Sequence, residues 1–346
     1  MLISSKISKG INGYVDISGD KSISHRSIII PSISNGLTEI SNILFSEDVI
    51  NTMNAFQTMG VKITRDNNNL LIDGKGLNSL KKPNKKINLG NSGTSARLLT
   101  GLLSNQNFSS ILMGDISLSK RPMDRIINPL KSMGAQFKSN DNKLPLEIFG
   151  TNLNNINYDL KLPSAQVKSG LLLAALNTKG QSKLIERNIT RNHTEIMLES
   201  FGAEIDIKKL DKENHISING QKELSAKNIF VPSDISSAAF FIVATLINNN
   251  SVLKMNGINI NPTRDGILIA LKLMGAKIKI NNKRTINGEL IADLVIESSK
   301  LKGCELNEDF ARLMIDEYPI LSIAASFANS PSFFKDLEEL KIKESN

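Results

Sequence analysis

One cysteine, Cys304, stands in a chain of 346 residues, which excludes an intramolecular disulfide and a cysteine-built zinc site and suits a reducing compartment. The three histidines, His25, His193 and His215, are too widely spaced for a local metal motif, so no metal is expected. Tryptophan is absent and aromatics make up only 5%; a nucleic-acid surface that stacks bases on aromatic rings is therefore excluded despite a net charge of +8. Long apolar runs are lacking too. Met1–Asn12 mixes lysines with short apolar pieces, and Ser236–Ile247 is too short to span a bilayer. A cytoplasmic protein without membrane partners is expected. With 40% apolar and 22% charged residues, the chain can fill the cores of two domains.

The tract Gly19-Asp20-Lys21-Ser22-Ile23-Ser24-His25-Arg26 precedes the apolar run Ser27–Ile33. The pattern predicts a buried helix whose unpaired N–H groups and positive dipole end lie at Lys21–Ser24, a place that suits a phosphate. A plain serine-capped helix with solvated charges explains this tract equally well when it is taken alone.

The tract is not alone, because the chain repeats itself. Met59-Gly60, Met133-Gly134, Phe201-Gly202 and Met274-Gly275 recur about every 70 residues. Each pair ends a helical pattern and leads into alternating residues, so the glycine fits the left-handed position after a helix. Upstream, Asp48, Asp124, Glu195 and Asp265 suit the positive ends of those helices. A second, more apolar helix recurs in the same period, entered at Ser22, Ser92, Ser164 and Ser233. Each unit reads strand, helix, strand, helix, then strands. If the apolar helices lie parallel inside a pseudo-threefold arrangement, their mouths converge on one anion. The cations near them are Lys21, Arg26, Arg97, Arg121, Arg125, Lys168 and Arg191. Each taken singly also fits a solvated surface charge, whereas the set implies a ligand with phosphate and carboxylate groups.

The tracts Gly19–Arg26, Leu89-Gly-Asn-Ser-Gly-Thr-Ser-Ala-Arg97, Arg121-Pro-Met-Asp-Arg125, Pro163-Ser-Ala-Gln-Val-Lys-Ser169, Thr190-Arg-Asn-His-Thr-Glu195, Asp316-Glu-Tyr-Pro319 and Glu339–Glu344 resemble, in order, those of the EPSP synthase family. The resemblance implies a two-domain inverse α/β barrel of βαβαββ units. It places 18–230 in one domain and 1–17 plus 231–346 in a second, discontinuous one, with the site between them. It implies transfer of the enolpyruvyl group of phosphoenolpyruvate to the 5-hydroxyl of 3-phosphoshikimate, by addition and then loss of phosphate, without a cofactor and by a monomer. Carried over residue by residue, it has Lys21 touch both substrates. Ser22, Arg26, Ser164, Ala165, Gln166 and Arg191 line the 3-phosphoshikimate site, with Ala165 standing where some relatives have a serine. Asn91, Gly93, Arg121 and Gln166 surround phosphoenolpyruvate. Asp316 matches the base acting on the 5-hydroxyl, Lys343 lies close to it, and Glu344 matches the proton donor to the methylene carbon. Without the resemblance, Asp316 and Glu317 read as a helix-opening acid pair and Glu344 as a surface charge.

Relatives in the family continue past Lys341-Ile-Lys-Glu-Ser-Asn346 for about one further repeat unit. Later cations of the phosphoenolpyruvate site have no counterpart here. The expectation is a second domain short of its last unit, with exposed apolar faces, weakened anion binding and little or no turnover alone. Two other readings are a remnant that binds 3-phosphoshikimate without catalysis and a UDP-N-acetylglucosamine enolpyruvyl transferase. That second family opens with Lys-Asn, whereas Lys21 is followed by Ser22.

Overall fold

The structure is a computed structural model that describes residues 9–67, 69–210, 213–335, 337, 338 and 340. It divides into two compact units: Lys21–Val231, the central unit, and Met1–Asp20 with Pro232–Asn346, the flanking unit. Among the described residues no helix is long and apolar enough to cross a membrane.

The repeat read from the sequence is present as βαβαββ. In the first copy the strand Asn12–Tyr14 leads to the helix Lys21–Ser32, then to Asn35–Ser41, the helix Glu47–Thr58, and the hairpin Lys62–Asp66 with Asn69–Lys75. Four helices end as the Met-Gly and Phe-Gly pairs predict. Gly60, Gly134, Gly202 and Gly275 have φ between 87° and 97°, and each donates its N–H to the carbonyl three residues back. The next N–H in each case reaches the carbonyl five residues back. This double closure satisfies the last helical carbonyls and turns the chain into the outgoing strand.

Each repeat builds a four-stranded sheet in which the first strand runs parallel to the second and the other pairings are antiparallel. Two sheets of the central unit are Ile87–Asn88, Ser109–Met113, Leu146–Phe149, Gln136–Lys138 and Asn157–Asp159, Gln181–Glu186, Asn214–Asn219, Ile205–Lys209, each in spatial order. Two first strands are exchanged. Asn12–Tyr14 pairs with Val252–Asn259 in the flanking unit, while Ile229–Phe230 pairs with Asn35–Ser41 in the central unit. That exchange is how a chain of tandem repeats comes to form one continuous and one discontinuous unit. Among the described residues every sheet stays open, so "barrel" describes the placing of sheets around helices.

Inside the central unit three apolar helices meet: Lys21–Ser32, Gly93–Ser104 and Ala165–Ala175. Their residues are buried nearly all round, as helices without a polar face must be. They touch at matching heights, which makes them parallel with adjacent mouths. His25 Nδ1 lies 3.3 Å from Ser95 Oγ, Arg26 donates to Ser169 Oγ at 2.8 Å, and Arg97 donates to Gln166 Oε1 at 3.1 Å. Farther along, Gly101 and Gly170 let two backbones come together: a Cβ on Gly101 would fall 1.9 Å from the Gly170 carbonyl oxygen.

In the flanking unit the helices Ile235–Ile247 and Tyr318–Ser326 pack together beside a core that includes Ile242, Val243, Leu246 and Leu321. Their outer faces leave Phe240, Phe241, Ile323 and Phe327 exposed. The corresponding helices of the central unit expose no large apolar side chain.

Gly101→Ala is expected to destabilise the chain by about 1–3 kcal/mol, because a methyl group has no room between the two backbones. A urea midpoint equal to that of the parent chain would contradict the helix contact.

Candidate active site

The mouth of the Gly93–Ser104 helix is capped by Ser92, whose Oγ accepts the Ser95 N–H at 3.2 Å. Ser164 caps Ala165–Ala175 in the same way, accepting from the Val167 N–H at 3.4 Å. Both caps therefore place side-chain oxygen and free backbone N–H groups at one end of the central unit. Ala165 opens its helix without a hydroxyl.

Over the first mouth sit two guanidinium groups. A Cβ on Gly93 would lie 2.9 Å from Arg97 Nη1 and 3.3 Å from Arg121 Nη1, so glycine is what allows both to close over the backbone. Arg97 donates to the Gly93 carbonyl at 3.1 Å, to Gln166 Oε1 at 3.1 Å and to the Pro122 carbonyl at 3.3 Å. Gln166 in turn donates to Thr94 Oγ1 at 3.1 Å, and Arg121 donates to Asn91 Oδ1 at 2.9 Å. None of these acceptors is a carboxylate. Burial, and then the positive charges of Arg121 and Arg125, bring the Arg97 pKa down to about 10. A cation held under such repulsion gains from any anion that enters.

Lys21 opens the first helix, half exposed and ion-paired with Asp48. Ser22 follows it, its carbonyl accepting from Arg26 at 2.8 Å. Arg191 is half-buried in the turn before His193–Ser200.

Two cations of the set have buried contacts with the framework. Arg26 is 3% exposed and binds the framework, donating to Thr194 Oγ1 at 2.6 Å besides Ser169 and Ser22. Lys168, read as part of the anion-binding set, is corrected to an internal ion pair. Its ammonium lies 2.8 Å from Glu186 and 2.7 Å from Glu195, fully buried. Burial opposes its charge, but Glu195 and Glu186 outweigh that and hold its pKa above the ordinary value. Sequence spacing alone cannot separate a cation that faces a ligand from one that faces a neighbouring helix.

In the flanking unit Asp316 is half-buried in the 3-10 turn Ile315–Glu317, which opens the helix Tyr318–Ser326. Beside it is a residue the sequence reading missed. Arg264 is buried among Asp20, Asp234 and Glu317, and their charges raise its pKa against the effect of burial. The only sequence signal was a cation next to the helix-opening Asp265. Lys343 and Glu344 lie outside the described residues.

Residues 5–346 match the family description "EPSP synthase (3-phosphoshikimate 1-carboxyvinyltransferase)". The chain belongs to the EPSP synthase family. It is 51% identical over 342 residues to the 3-phosphoshikimate 1-carboxyvinyltransferase of Ruthia magnifica, covering 99% of this chain and 78% of that protein. Against the protein of the same name from Vesicomyosocius okutanii the identity is 50%, covering 98% and 77%. The EPSP synthase structure from Acinetobacter baumannii superposes with a TM-score of 0.88 at 45% identity, covering 97% of this chain and 76% of that one. These EPSP synthase matches extend through both units, so the fold inferred from the repeat is the family fold.

Arg97→Met is expected to leave the ligand-free chain as stable as the parent or more so, while abolishing the rise in Tm produced by inorganic phosphate. The sign follows from the lowered pKa: the folded chain disfavours the charged Arg97 at all pH values below about 10, and relief comes only as pH rises through that value. Thermal unfolding with and without phosphate checks it; a less stable variant that still responds to phosphate contradicts it.

Proposed function

We propose that this chain transfers the enolpyruvyl group of phosphoenolpyruvate to the 5-hydroxyl of 3-phosphoshikimate, giving 5-enolpyruvylshikimate 3-phosphate and phosphate. One observation carries the reading to the residues: Arg97 and Arg121 close over Gly93, and among the described residues their hydrogen-bond acceptors include no carboxylate. Two guanidinium forks at a helix mouth match a small ligand bearing phosphate and carboxylate together. Phosphoenolpyruvate is such a ligand.

The chemistry assigns the remaining parts. The 5-hydroxyl oxygen attacks C2 of phosphoenolpyruvate as its proton passes to a base, and C3 gains a proton to become a methyl group. The resulting tetrahedral intermediate then loses a methyl proton and breaks its C2–O bond to phosphate, restoring the double bond. Asp316 is the proposed base and Glu344 the proposed proton donor. Lys21 is proposed to contact both substrates, exchanging its pairing with Asp48 for substrate oxygens. Ser22, Ser164, Gln166 and Arg191 are proposed to hold 3-phosphoshikimate, with Ala165 giving no side-chain hydrogen bond. Arg26 supports this set through the Ser22 carbonyl, and Asn91 supports Arg121.

Replacing Lys21 by Met is expected to lower kcat about 100-fold or more, the scale seen when one charged stabilising group is lost from a transition state, while leaving the unfolding curve in place. Phosphate release with both substrates measures it. Near-parental kcat in that variant removes Lys21 from the chemistry, and no phosphate release from the parent chain sinks the functional reading itself.

A further inference from the structure

The flanking unit holds one buried guanidinium that the reaction outlined above does not use. Arg264 lies in the turn after Val252–Asn259, where its N–H donates to the Asn261 carbonyl at 2.8 Å. Asn261 is fixed in turn by Glu289, to which its amide donates at 3.1 Å. From this base the side chain reaches three segments that are distant in sequence. Nη1 lies 3.1 Å from Asp20 Oδ2, and Nη2 lies 3.5 Å from both Asp234 Oδ1 and Glu317 Oε1. Arg264 also donates to Ser236 Oγ, which donates to Glu317.

These contacts have specific places in the fold. Asp20 and Asp234 flank the two points where the chain passes between units, and backbone bonds join those segments: Asp20 N–H to the Pro232 carbonyl at 2.7 Å, and Asp234 N–H to the Ser18 carbonyl at 2.9 Å. Asp234 also caps the helix Ile235–Ile247. Glu317 ends the 3-10 turn that carries Asp316. The side chains of Arg264, Asp20 and Glu317 are 3%, 0% and 1% exposed, so this charge is shielded from water and acts strongly on its neighbours. One cation faces Asp20, Asp234 and Glu317 directly, and Asp316 stands within its field. Removing it leaves several carboxylates close together in a dry place, which forces protonation or movement of at least one.

We propose that Arg264 is a positioning residue for Asp316: its guanidinium pins the Ile315–Glu317 turn through Glu317 and Ser236, and its charge keeps the neighbouring carboxyl ionised and able to accept a proton. The inference rests on the reading of Asp316 as base. Arg264 touches neither substrate in this account, and its influence passes through the turn.

The test compares the parent chain with Arg264→Met, Arg264→Lys and Ser236→Ala. Two quantities are followed: the carboxyl titration of Asp316 by 13C NMR, assigned by its absence in Asp316→Asn, and the pH profile of phosphate release. In Arg264→Met the Asp316 midpoint is expected to rise by about one pH unit or more. The acid limb of kcat should move up with it, so that kcat at a fixed pH low on that limb falls about 10-fold, and KM for both substrates should stay within about twofold. Arg264→Lys, which keeps the charge without the fork, should recover part of the shift. A folded Arg264→Met with an unmoved Asp316 midpoint overturns the proposal, as does a rise in KM at constant kcat. Should Arg264→Met not fold, Arg264→Lys and Ser236→Ala carry the test, and an unmoved midpoint in both overturns it. Absence of turnover in the parent strikes the functional reading alone, because the NMR midpoint still decides whether Arg264 controls Asp316.

Discussion

The close approach of two helices at Gly101 and Gly170 is the constraint on which the central unit depends. With no side chain at either position, the backbones of Gly93–Ser104 and Ala165–Ala175 touch. Each glycine lies within about three turns of its own helix start, so bringing them together also brings the Ser92 and Ser164 caps together. Bulk at the crossing would spread the helices and part Arg97 from Gln166. The packing link and the binding link are thus the same contact, seen at two heights of one helix pair.

Electrostatics in the two units run in opposite senses. In the central unit burial, and after it the positive charges of Arg121 and Arg125, lower the Arg97 pKa. The flanking unit gathers carboxylates around one guanidinium, which raises the Arg264 pKa. A reaction between anionic substrates needs both kinds of place: positive charge to hold phosphate and carboxylate groups, and a carboxylate kept ionised to take a proton. Buried cations that have full partners, such as Lys168 between Glu186 and Glu195, belong to the framework. The distinction lies in what surrounds the charge.

Much of the architecture was legible in the sequence because it rests on local physics repeated several times. Gly60, Gly134, Gly202 and Gly275 mark helix ends that require a left-handed residue, and Ser92 and Ser164 mark helix starts. The exchange of first strands left no local signal, since Asn12–Tyr14 and Ile229–Phe230 are too short to show a period; it entered only through the domain bounds that the family resemblance implied. Gly93, Arg97 and Arg121 stood out in the sequence through their motifs, and the structure brings them close together. Arg26 and Lys168 carry the same charge in similar tracts, but their partners sit on other helices: Arg26 meets Thr194, and Lys168 meets Glu186 and Glu195. Arg264 was missed for the same reason, its partner Asp20 being 244 positions away. Local patterns tell where charges are; tertiary contacts decide which of them remain for a ligand.

The most direct test of this account is a crystal structure of the chain with 3-phosphoshikimate and phosphoenolpyruvate bound. The account predicts phosphoenolpyruvate oxygens within about 3.2 Å of both the Arg97 and Arg121 guanidinium groups, above Gly93. Phosphoenolpyruvate bound elsewhere, with Arg97 still on the Gly93 carbonyl and Gln166 and Arg121 still on Asn91, would contradict it.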